Sequence, residues 1–144
     1  MMKFITTLGL AALVAGSLSG CATTEQQPVK AVYHINTDAN TVPPILNNIR
    51  NHLNADPTAK IVVTTHSRGI DFLLQDAKDS KGNSFSGTIA DLVAKGVDFR
   101  VCNNTLVSRK IDKNQVVMEA KIVPSGVAEV ARLQSREGYV YLKP

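Results

Sequence analysis

The sequence predicts an α/β fold: a three-layer α/β/α sandwich with a mainly parallel five-stranded sheet in the middle. Short β-rich runs alternate with segments whose apolar residues recur at helical spacing, the order expected of βα units. The connections are short, and right-handed crossovers then carry helices onto both faces of a parallel sheet. The run KIVVTT, Lys60 to Thr65, is continuously apolar or β-branched after its first residue, as in a strand covered on both sides, and is expected at the centre of the sheet.

The elements follow in order. KAVYHI, Lys30 to Ile35, is the first strand. Val42, Ile45, Leu46, Ile49 and Leu53 then share one face of a helix, with Pro43 and Pro44 near its first turn and Pro57 beyond its end. After the central strand, GIDFLLQDAKD, Gly69 to Asp79, reads as a short helix turning Ile70, Leu73, Leu74 and Ala77 inward, and SKGN is turn chemistry. A third helix carries Phe85, Ile89, Leu92 and Val93 on one face, with Ser84 as its N-cap and Gly96 at its C-terminal cap. Val97 to Val101 is the third strand. Its alternation turns Val97, Phe99 and Val101 one way and Asp98, Arg100 and Cys102 the other. A polar second face does not suit a strand buried on both sides, so this strand is expected near an edge or against another subunit. Ala120 to Pro124 is the fourth strand. Ser125 then caps a helix with Val127, Val130, Ala131 and Leu133 inward and Arg132 and Arg136 set against its C-terminal dipole; Gly138 ends it, and Tyr139 to Leu142 is the fifth strand.

The chain start is read as an export signal. Met1, Met2 and Lys3 form a short basic opening, and FITTLGLAALVAG is an apolar run of signal length, too short and too rich in Gly, Ala and Thr for a membrane span. Leu18-Ser19-Gly20-Cys21 resembles the bacterial lipobox. That resemblance implies cleavage before Cys21, lipidation at Cys21 and a membrane partner held through acyl chains. Ala22, where Asp would retain the protein, implies the outer membrane facing the periplasm. The chain then divides into a signal peptide at 1–20, a polar tether at 21–28 and one folded domain at 29–144. The 124 residues left from 144 suit a single domain with its own core.

Composition excludes some functions. Without Lys3, 15 basic side chains face 12 acidic ones, scattered rather than striped, so nucleic acid is not an expected partner. No dinucleotide fingerprint, phosphate loop or metal-ligand spacing is present, and neither cofactor nor metal is expected. With Cys21 acylated, Cys102 has no disulfide partner in its own chain.

Ligands of an open parallel sheet bind beyond the carboxyl ends of its strands. That edge collects His34 and Asn36; His66, Ser67 and Arg68; Cys102, Asn103 and Asn104; and Ser125 with Gly126. A cysteine between a strand and a helix start meets unpaired N–H groups that favour the thiolate. The same donors, with Arg68, Arg100 or Arg109, suit a sulfur oxyanion or a persulfide. For chemistry the thiol must be exposed. Position alone leaves Cys102 open between this role and packing, the commoner fate of a free cysteine. His66 and His34 are candidate acid or base partners, although each alone is more often a hydrogen-bonded structural histidine. His52 is expected on a solvated helix side, and Arg109 is by base rate a surface charge.

The segments FRVCNNTL, IVVTTHSRGIDFLL, AKIVPSGVAEVARLQ and GYVYLKP resemble the DsrE/DsrF-like sulfur-relay family, in an exported lipoprotein branch. The resemblance runs from about Lys30 to Pro144. It implies a five-stranded sandwich, a homo-oligomer (trimer or hexamer) and a sulfur carrier or sulfurtransferase with a persulfide on Cys102. His66, His34, Asn104 and Arg109 are then its candidate assistants, and thiol-bearing donors or acceptors its partners. The alternative is a non-enzymatic envelope module that binds a small ligand or protein at the same edge.

Overall fold

The computed structural model describes residues 27–144; the signal peptide, Cys21 and most of the tether lie outside them. Its elements are β1 (Lys30–Ile35), α1 (Val42–Ala55), β2 (Lys60–Thr65), α2 (Ser86–Ala94), β3 (Asp98–Cys102), α3 (Asn103–Ser108), β4 (Ala120–Val123), α4 (Gly126–Glu137) and β5 (Val140–Leu142). The five strands form one sheet, ordered β4-β3-β2-β1-β5, and every pairing is parallel. The expected α/β fold is present, with β2 at its centre.

Alternation along the strands divides the sheet into two faces. Ala31, Tyr33, Ile35, Ile61, Val63, Phe99 and Val101 turn toward α1 and α2 and join the main core with Ile45, Ile49, Phe72, Phe85, Ile89, Leu92 and Leu106. The α1 stripe lands as its spacing predicts, with Val42, Ile45, Leu46, Ile49 and Leu53 all buried. On the opposite face, Val32 and Val62 meet Val130 and Leu133 of α4 in a much smaller cluster.

That second face answers the question raised by the polar side of β3. The strand lies one place in from the β4 edge, and α4 of the same chain meets its charges. Arg100 donates to Asp98 Oδ2 at 3.2 Å from Nε and 2.8 Å from Nη2, and pairs through Nη1 with Glu129 of α4. Arg132 donates to both oxygens of Glu129, at 2.9 and 2.7 Å, and Lys121 Nζ reaches Asp98 at 3.1 Å. Bonds from Arg132, followed by those from Arg100, hold the Glu129 carboxyl below its ordinary range against the opposing effect of burial. Arg132 is thus pinned by carboxylates rather than spent on the helix dipole.

Other local expectations are corrected. Residues 69–79 form no α-helix, and only the part up to Leu73 is helical at all. Ser67–Leu73 is a 3-10 segment, and the chain beyond it pairs with the 115–117 segment, Gln75 N–H donating to Gln115 O at 2.7 Å and Val117 N–H to Leu73 O at 3.0 Å. Gly69 explains part of this: a Cβ there would stand 2.1 Å from the Ile35 carbonyl oxygen, an approach only glycine allows. Ser84 does not cap α2; Phe85 occupies that position, and Ser86 N–H donates to Ser84 Oγ at 3.3 Å. In α4, Val127 is 59% exposed and Ala131 is exposed, whereas Gly126, Val130 and Leu133 face inward. His52 is half-buried, with Nδ1 2.9 Å from the Tyr33 hydroxyl. No described helix is long and apolar enough to cross a membrane.

Candidate functional site

β3 ends at Cys102, which is also the N-cap of α3, while β4 ends just before Ser125, the N-cap of α4. Two helix starts therefore converge on one sulfur. Ser125 Oγ accepts from Ala128 N–H at 3.3 Å and fixes the first turn of α4. Gly126 then lies so close that an added Cβ would sit 2.7 Å from Thr65 O and 3.3 Å from the Cβ atoms of Cys102 and His66. A glycine here lets the α4 amide approach the sulfur, and a larger residue would force the helix away.

Cys102 is 4% exposed, so the open thiol set as the condition for chemistry is not what the fold provides. Burial raises its pKa. The Gly126 amide, the Thr105 hydroxyl, and the Thr105 and Asn104 amides act the other way and together outweigh burial, so the thiol lies below its ordinary value. As the N-cap of α3, the Cys102 sulfur closes no side-chain capping bond. Asn104 contributes through its backbone, and its side chain is exposed. Thr105, 8% exposed and unremarked in the sequence, stands in the third position of α3; its spacing from a strand-ending cysteine was the available signal.

None of the three expected arginines is among the groups favouring the ionised sulfur. Arg100 is engaged under α4. Arg68 extends toward Asp38 at 3.7 Å with its side chain 71% exposed. Arg109 Nη1 donates to Ser67 O at 3.1 Å and to Asp71 Oδ1 at 2.6 Å. The thiolate is favoured by dipoles, with no cation among the described residues as partner.

His34 and His66 come together at the ends of β1 and β2, their rings tilted with centroids 4.7 Å apart. His34 Nδ1 is 2.8 Å from the Tyr141 hydroxyl of β5, and His66 Nδ1 is 2.9 Å from Ser67 Oγ. Burial lowers both pKa values, most strongly for each; Lys143 adds to both, and His66 to that of His34. The pair is neutral at neutral pH, suited to accept a proton rather than to hold an anion. Among the described residues no group of three His, Cys, Asp or Glu side chains could hold a metal.

Compared with known families, residues 30–144 match the DsrE/DsrF-like family. Among solved structures, a protein of unknown function, MTH1491 from Methanobacterium thermoautotrophicum, is 30% identical with a TM-score of 0.73, over 81% of this chain and 99% of that one. The ychN protein from E. coli shares the fold at a TM-score of 0.64 and 15% identity, over 80% and 97% of the two chains. No curated protein matches significantly.

Proposed function

Because this chain belongs to the DsrE/DsrF-like family, we propose that it serves sulfur relay, as a sulfur carrier or sulfurtransferase that holds a persulfide on Cys102. The observation that carries the reading is the convergence of two helix starts on that sulfur, which favours its ionised form despite burial. In the loading step the Cys102 thiolate attacks the sulfane sulfur of a donor persulfide. A new S–S bond forms, the donor's S–S bond breaks, and the donor thiolate leaves with the electron pair. In the unloading step an acceptor thiolate attacks the outer sulfur and Cys102 departs as thiolate. No net oxidation occurs. The neutral histidines are placed in this reading as proton acceptors near the sulfur, and the partners are thiol-bearing proteins or small thiols.

The same reading sets the domain on an acylated Cys21, exported and facing the periplasm at the outer membrane, as a trimer or hexamer. Its support is the apolar start followed by Leu18-Ser19-Gly20-Cys21, together with the family. A second reading, a non-enzymatic envelope module, is favoured by the 4% exposure of Cys102, which equally describes a packed thiol.

Intact-mass spectrometry of protein recovered from membranes and treated with polysulfide tests both parts. Sulfur additions that disappear in Cys102→Ser are expected, on a chain beginning at an acylated Cys21. Wild-type protein that stays unmodified, with a thiol that resists alkylation until unfolded, would favour the binding module. A mass beginning at Met1 would remove the anchor.

A further inference from the structure

The two ring nitrogens of His34 meet different surroundings. Nδ1 is 2.8 Å from the Tyr141 hydroxyl of β5, a bond at the surface, and Tyr141 is 39% exposed. Nε2 is buried and has no hydrogen-bond partner among the described residues. The register sets Thr64 beside His34 on β2, 0% exposed, and its hydroxyl is likewise unpartnered, so no bond joins the two. The His66 ring lies against that of His34, with centroids 4.7 Å apart, but neither of its nitrogens is both buried and unpartnered.

A neutral imidazole carries one proton, and the bond made by one nitrogen decides which nitrogen holds it. With the proton on Nε2, the Tyr141 hydroxyl would donate to Nδ1 and a buried N–H would face no acceptor. With the proton on Nδ1, that N–H donates to the Tyr141 oxygen, whose own proton turns to water, and Nε2 keeps a lone pair. An orphaned buried N–H is rarer than an unfilled acceptor, which favours the second arrangement. We infer that Tyr141 is a positioning residue that holds the His34 proton on Nδ1 and so keeps the buried Nε2 as the nitrogen that takes up a proton. The inference rests on the proposed function only in giving His34 a proton to accept. Tyr141 acts through His34 and has no part in the sulfur step itself.

Nitrogen NMR of the full chain labelled with 15N-histidine reads the tautomer directly, at about pH 8, where the rings are neutral. The sequence holds three histidines, and His34→Gln assigns the signals. In the wild type, His34 Nδ1 is expected at the frequency of a protonated nitrogen and Nε2 at that of a lone-pair nitrogen. Tyr141→Phe is expected to raise the share of the Nε2–H form and to slow sulfur uptake from polysulfide severalfold, followed by intact mass. A wild-type His34 protonated on Nε2 would overturn the inference, as would a Tyr141→Phe spectrum identical to the wild type. A shifted tautomer with an unchanged uptake rate would overturn the positioning role. Should Tyr141→Phe fail to fold, the wild-type spectrum still decides where the proton sits, for or against. Wild-type protein that takes up no sulfur would remove the carrier reading and leave this assignment standing.

Discussion

The two faces of the sheet are built to different rules. Toward α1 and α2, the inward positions of β1, β2 and β3 are apolar almost without exception and join one large core. Toward α4 the apolar cluster shrinks to Val32, Val62, Val130 and Leu133, and the neighbouring positions hold Thr64, Asp98, Arg100 and Cys102, with His34 beside them. Burial on the first face supplies most of the stability, because free energy follows apolar area removed from water. The second face keeps its ionisable and nucleophilic groups under a single helix, where their chemistry can change without disturbing the larger core.

The sharpest way to break this comparison is to damage each face in turn. Phe99 is fully buried and meets Phe72 edge to face at 6.1 Å between centroids, with Phe85 next in line at 5.8 Å from Phe72. Phe99→Ala is expected to lower unfolding free energy by about 3–5 kcal/mol, read from urea titration, through lost transfer energy and a cavity. Arg100→Met removes the cation that joins β3 to α4. It should lower stability by only about 1–2 kcal/mol, since Glu129 keeps Arg132, Asp98 keeps Lys121, and the pairs are partly solvated. Equal losses for the two substitutions would mean that the α4 face carries as much stability as the core.

The same division explains what the sequence made legible. Apolar periodicity is dictated by burial, so the α1 stripe, the central β2 and the alternation of βα units could be read from Val42, Ile45, Ile49 and the KIVVTT run. The stretch after Gly69 could not. Ile70, Leu73 and Leu74 have helical spacing, yet the close approach at Ile35 and the backbone pairing of Gln75 with Gln115 depend on residues far along the chain. The gathering of His34, His66, Cys102 and Gly126 followed from the rule for strand ends. Which groups act on the thiol did not. Arg100 has the right position, but alternation sends it under α4 to Glu129. Thr105 stands three residues after the strand-ending cysteine, and nothing else in the sequence marks it.

The smallest effect concerns pH and divides the site itself. His34 and His66 have folded pKa values below the ordinary 6.5, so the folded protein binds fewer protons there than the unfolded chain. Their contribution is complete above about pH 6.5 and is lost as pH falls through the folded values. Cys102 is also depressed, from an ordinary 9.0, so its contribution is complete above that pH and is lost as pH falls through its lowered value. Unfolding midpoints should therefore fall modestly from pH 7 to 5, ahead of the lower window in which Glu129 takes up its proton. His34→Gln should flatten that acid slope and leave the alkaline side unchanged. Cys102→Ser should leave the acid slope and lose the relative gain toward pH 9. If both substitutions flattened the same limb, the histidine pair and the thiol would titrate as one group, and the separation of a neutral proton acceptor from a dipole-held thiolate would fail.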